Sequence, residues 1–211
     1  MKRINERKNR KWKRSFVILL LFNVVVLLVI LSLIFWPVRE VKMPSTTEVN
    51  PDQSSEFIIR TTKKNLNDLV NAYIEQLLKN TKHHYEIILG DDVLLLGELP
   101  VFSSTVPLTV HFEPLVQDNG DVILKQKSIS IGFLELPNKK IMEYMKKYLP
   151  VPKWVVIDPK NEEIYVAVTD MDVKSNFHVS VDTIDLEANN IALKLKVPYE
   201  TLGIETVKMK D

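Results

Sequence analysis

The sequence predicts an α+β fold: an N-terminal transmembrane helix, then an extracytoplasmic antiparallel sheet packed on two helices. Three observations carry that expectation. Residues 15–36 run without one charged side chain. Downstream, strand-like stretches follow one another with no helix between most pairs. Only 62–79 and 138–149 show the spacing of amphipathic helices.

The first element is set by charge placement. The chain has 211 residues and a formal net charge of only +1. That average hides a segregation. Lys2, Arg3, Arg7, Lys8, Arg10, Lys11, Lys13 and Arg14 face a single acid, Glu6, within residues 1–14. This arm carries +7 and leaves −6 on the remaining 197 residues. The apolar run from Ser15 to Trp36 follows, with Asn23 and Ser32 as its later polar interruptions. At about 1.5 Å per residue it spans about 33 Å, against a hydrocarbon core of about 30 Å. A buried core helix would show a polar stripe. A removable leader would be shorter and end in small residues, whereas this run ends in Phe35-Trp36-Pro37-Val38-Arg39-Glu40. The reading is an uncleaved signal anchor. Lysine and arginine stay on the cytoplasmic side, so the N-terminus is inside and everything after Pro37 is outside. Trp12 and Trp36 are placed at the two membrane interfaces. The bilayer is the expected partner of the basic arm, through its anionic lipid; nucleic acid is not.

Four segments result: a basic cytoplasmic arm at 1–14, the anchor at 15–36, an extracellular tether at 37–55, and the exported domain at 56–211. The tether contains Pro37, Pro44 and Pro51 and the polar run Pro44-Ser45-Thr46-Thr47-Glu48. Phe57-Ile58-Ile59 reads as a short strand. Thr61-Thr62 can cap the helix after it. Leu66, Leu69, Val70, Tyr73 and Leu77 form one apolar helix face. Strands fill 85–134, with the clearest alternation at Val106, Leu108, Val110 and Phe112. Pro107 places its residue at an edge or a strand start. Asp118-Asn119-Gly120-Asp121 is a hairpin turn, because Asn-Gly readily takes positive φ, and a strand over about 122–135 follows. Pro137 opens the second helix, whose apolar positions are Ile141, Met142, Met145, Tyr148 and Leu149. Strands are expected at 154–158, 163–171, 177–187 and 190–197, with Asn189-Asn190 turning the last pair.

The search for chemistry yields exclusions. With no cysteine there is no disulfide framework, thiolate metal site or cysteine nucleophile. Five glycines supply no phosphate loop. Neither a G-x-S-x-G elbow nor an H-E-x-x-H zinc motif occurs. Ser103-Ser104-Thr105 reads as a polar turn. His83, His84, His111 and His178 lack ligand spacing and read as solvated. Asp91-Asp92 reads as a turn. Asp170 and Asp172 would share a strand face, but no loop completes a calcium shell of about 6–8 oxygens. The expectation is a non-enzymatic protein with no catalytic residue, cofactor or metal. What remains is apolar surface. Leu66, Val70 and Tyr73 of the first amphipathic helix, with Met142, Met145 and Tyr148 of the second, are candidates for a flexible groove holding lipid tails. An ordinary helix–sheet core is the competing reading of the same residues.

Several stretches together resemble the YpmS family of Gram-positive bacteria. These are the basic arm and anchor, Thr61-Thr62-Lys63-Lys64-Asn65-Leu66-Asn67, Leu99-Pro100-Val101-Phe102, Phe112-Glu113-Pro114, Asn119-Gly120, Ser128-Ile129-Ser130-Ile131-Gly132, Leu136-Pro137 and the terminal strand pair. The resemblance covers nearly the full chain, and its motifs are structural, with no catalytic residue to transfer. The element order is also similar to the tubular lipid-binding fold, where a curved antiparallel sheet wraps a long helix; that is an analogy of topology. The expected function is a single-pass cell-envelope protein whose exported domain binds a lipid or other amphiphile near the membrane. The alternative is a scaffold that recruits an envelope protein partner, an enzyme or assembly factor.

Overall fold

The structure, a computed structural model, describes residues 2–34, 54–81, 83–101, 104–131, 138–171, 173 and 176–202. The chain divides into two compact units, Met1–Val38 and Arg39–Asp211.

The first unit is one helix, α1 (Lys2–Ile34), which joins the basic arm and the apolar run without a break. Described side chains from Phe16 to Ser32 are exposed on every side of it. Asn23 donates its amide to the Leu19 carbonyl one turn back at 2.9 Å, so its polar group is partnered within the helix. Among the described residues no helix is long and apolar enough to cross a membrane. Side chains of α1 are described only over 16–32, a shorter stretch than the apolar run of the sequence.

The second unit has the predicted α+β, antiparallel character. Its order is β1 (Ser54–Thr61), α2 (Lys63–Leu78), β2 (Tyr85–Leu89), β3 (Val93–Val101), β4 (Ser104–Val116), β5 (Val122–Ile131), α3 (Asn138–Tyr148), β6 (Val155–Asp158), β7 (Glu163–Val166), β8 (His178–Asp185) and β9 (Asn190–Pro198). A six-stranded sheet has the order β2-β3-β4-β5-β7-β6, and a three-stranded sheet the order β1-β9-β8. Every described strand pair is antiparallel.

The larger sheet curls, and α3 packs against it. Ile141, Met142 and Met145 of α3 join Val93, Leu95, Leu108, Val110, Phe112, Ile157 and Ile164 in one core. Leu186 and Ile191 extend that core to the second sheet. With no cysteine, apolar burial of this kind carries the fold. The alternation read at Leu108, Val110 and Phe112 is what sends all three inward.

Local chemistry accounts for the boundaries. Thr62 caps α2, its hydroxyl accepting from the Asn65 amide at 3.3 Å. Pro107 sits inside β4, opposite Glu98 of β3, and not at a strand start. The pairing of β4 with β5 begins only at Leu108, so among the described pairs Pro107 has a neighbour on one side alone. The strand expected at 163–171 stops at Val166, and Val168–Asp170 forms a 3-10 turn. Asp121 explains the stop: its carboxylate accepts from the Thr169 amide at 3.0 Å and hydroxyl at 2.9 Å, pulling that backbone off the strand path. The same buried carboxylate accepts from Tyr165 Oη at 2.5 Å and Asn119 Nδ2 at 2.8 Å. Gly120 takes φ +86°, and a Cβ there would lie 2.5 Å from Ser180 Cβ, so only glycine seats this turn against β8.

Three of the four sheet edges are protected. Along β2, Asn71 exchanges bonds with the Ile87 amide and carbonyl at 2.9 and 2.7 Å, and Asn67 accepts from the Leu89 amide at 3.0 Å. Two amides one helical turn apart thus stand in for a neighbouring strand. On β8, the Val181 amide donates to the Gly120 carbonyl at 2.7 Å. β6 is only four residues long. Among the described residues β1 is the exception.

Candidate functional site

The six candidate groove residues separate into two sets. Met142 and Met145 have 0% exposure and pack among strand side chains, so they fill the core and line no open groove. The reason is the amphipathy of α3: Lys139, Lys146 and Lys147 hold its outer face in water and drive the methionines into the sheet. Leu66 packs partly buried against that core, and Val70 is half-buried. Tyr73 and Tyr148 are instead exposed.

Leu69, read as part of the buried face, is 65% exposed. Because Asn67 and Asn71 pair with the β2 backbone, α2 is rotated from the orientation its apolar periodicity suggests. Tyr73 therefore lies outward on the same face as Leu69, one turn on. There it meets Trp154, with ring centroids 5.7 Å apart. Trp154 sits in the short segment between α3 and β6, just after Val151. That segment is fixed by the Val155 amide donating to Pro152 and the Ala167 amide donating to Trp154, at 3.0 and 2.8 Å. Tyr148 ends α3, its ring 4.3 Å from that of Tyr144 and 5.0 Å from Lys147 Nζ. Burial, then the neighbouring Tyr148, raises Tyr144 above the ordinary phenol range, with Lys147 opposing. Lys146, Lys147 and Lys153 are exposed and neighbour Tyr148 and Trp154 in sequence. Trp154 was not among the expected site residues. The only sequence signal for it is an aromatic among Pro150, Val151, Pro152 and Lys153.

A cleft of about 850 Å³ opens on the polar side of α2, between Asn71, Glu75 and Leu78 and the strand residues Tyr85, Leu96 and Gly97. The Tyr85 ring lies where a Cβ on Gly97 would project, and His83 stacks on Tyr85 at 5.8 Å. Burial, then Tyr144, holds the Tyr85 phenol above its ordinary range. None of the six candidate groove residues lines this cleft. Its carboxylates and histidines form no metal-binding cluster among the described residues.

The remaining sequence candidates are accounted for individually. Asp91 and Asp92 form the expected bend between β2 and β3. His111 is not simply solvated, since its Nδ1 lies 3.0 Å from the Asp92 carboxylate. Ser104 and Thr105 begin β4 and do not form a turn. Asp170 ends the 3-10 turn, while Asp172 and Ser103 lie outside the described residues. Trp36 also lies outside them, as does the side chain of Trp12.

A bacterial family described as "Uncharacterized protein conserved in bacteria (DUF2140)" matches residues 10–197. The chain is 30% identical over 190 residues to "Uncharacterized protein YpmS" of Bacillus subtilis (strain 168), covering 90% of this chain and 99% of the relative. No solved structure matches. The match takes in the apolar helix, both sheets and α3, and the chain belongs to this bacterial family, DUF2140.

Proposed function

We propose that the protein is a single-pass cell-envelope protein whose exported domain binds a lipid or other amphiphile at its surface, without catalysis. The observation that carries this reading is the contact of exposed Tyr73 with Trp154, in a chain that also exposes Leu69 one turn before Tyr73 and Lys146, Lys147, Tyr148, Val151 and Lys153 just before Trp154 in sequence. Tryptophan and tyrosine favour the boundary between water and acyl chains. Lysines at such a boundary attract anionic head groups, each contributing about 1 kcal/mol near an anionic surface. In this reading the ligand lies on the domain, and the core under α3 stays filled. The anchor supports it: an apolar surface all round a helix, with its one described amide satisfied internally, suits lipid better than water. The basic arm then remains cytoplasmic and the domain outside.

The test is photolabelling of the full-length protein in vesicles that contain a photoactivatable anionic phospholipid. Labels are expected on the peptides carrying Tyr73 and Trp154 as well as on α1. The variant with Tyr73→Ala and Trp154→Ala should lose the former and keep the latter. Labelling confined to α1 in the unmodified protein would sink the proposal. A scaffold that recruits an envelope protein is the second reading, favoured by the exposed Phe57, Ile58 and Ile59 of β1.

A further inference from the structure

We propose that β1 is a self-association edge, on which a second copy of this chain adds its own β1 antiparallel about a two-fold axis. Among the described residues β1 pairs with β9 alone and ends its sheet. It is eight residues long and carries three successive large apolar side chains: Phe57, Ile58 and Ile59 are 53%, 58% and 46% exposed. The β2, β8 and β6 edges are met by asparagine amides, met by a turn, or cut short. A long apolar edge left without any of these devices is a template for another strand.

The residue order names the occupant. In Glu56-Phe57-Ile58-Ile59-Arg60, antiparallel pairing centred on Ile58 sets Ile58 against Ile58 of the second copy. Phe57 then faces Ile59, and Glu56 faces Arg60, twice each by symmetry. Each copy supplies the opposite charge for the other at the directly opposed positions, where cross-strand pairs interact most strongly. Glu56 and Arg60 lie on the charged face of the smaller sheet. There Lys196 is 3.7 Å from Glu56, and Lys194 is 2.8 Å from Asp182. Phe57 and Ile59 lie on its apolar face, above Leu195 and Leu193 in register. A parallel arrangement would set Glu56 against Glu56 and Arg60 against Arg60, so charge selects the antiparallel one.

The absence of cysteine gives a clean test in the full-length chain, solubilised in a mild detergent. Ile58→Cys should oxidise to a disulfide-linked dimer roughly tenfold or more faster than Asn80→Cys at the exposed end of α2, because the paired strands hold the two thiols together. Glu56→Cys and Arg60→Cys chains, differently tagged and co-expressed, should link to each other and not to themselves. Ile58→Cys linking no faster than Asn80→Cys, or linking to a different protein, overturns the proposal. Fast linkage at Ile58 without the Glu56–Arg60 cross-link overturns it as well.

Discussion

At the residue scale, Asp121 shows how a turn motif becomes a structural centre. Asn119-Gly120 is readable as a hairpin turn from its residue types alone. That Asp121 would be buried and accept from Tyr165 and Thr169, more than forty positions onward, is not readable, since no local rule relates such distant positions. Asp121→Asn places an amide among donors that need an acceptor. The expected cost is about 1–3 kcal/mol, measured as a lower urea midpoint with unchanged slope. Tyr165 is held above the ordinary phenol range by burial first and then by its bond to Asp121. A raised folded value means its contribution is complete below the unfolded value of about 10 and is lost as pH rises through the folded one. In a spectrophotometric titration Tyr165→Phe should therefore remove a late-ionising tyrosine; loss of an early one would contradict the assignment.

At the scale of elements, periodicity located both later helices but misjudged how one of them turns. Leu66, Val70 and Leu77 do face inward from α2, while Leu69 and Tyr73 do not. A hydrophobic count gives no weight to asparagine, yet Asn67 and Asn71 hold the helix because β2 has backbone groups in need of partners. Asn71→Ala should remove two bonds at Ile87, costing about 1 kcal/mol for each lost bond. Hydrogen exchange should quicken at the Ile87 amide while that of Val110, central in the sheet, stays slow; equal acceleration at both would show that the bonds are not local protection. α3 buries Ile141, Met142 and Met145 as its pattern suggested, because lysines hold the other side in water, whereas Tyr148, read on the same face, is exposed at the helix end.

At the scale of the whole molecule, two units of opposite character share one chain: a helix whose described side chains, 16–32, are exposed, and an α+β domain with an apolar core. On the proposed topology, an enzyme fused to the C-terminus that works only outside the cytoplasm should be active, and one that works only inside should be silent. Replacing the lysines and arginines of residues 2–14 by glutamine should weaken that preference; the reverse pattern in the unmodified chain would refute the orientation. The sequence by itself determined the α+β class, the positions of both later helices, the Asn119-Gly120 turn and the segregation of charge. These depend on residue type and near-neighbour spacing, which act over a few positions. Only the tertiary structure decided that Met142 and Met145 are core, that Tyr73 meets Trp154 while Leu69 stays exposed, and that among the described residues β1 keeps a long unpaired edge. Those outcomes depend on which distant backbone groups find partners, and that competition is settled only when the whole sheet has formed.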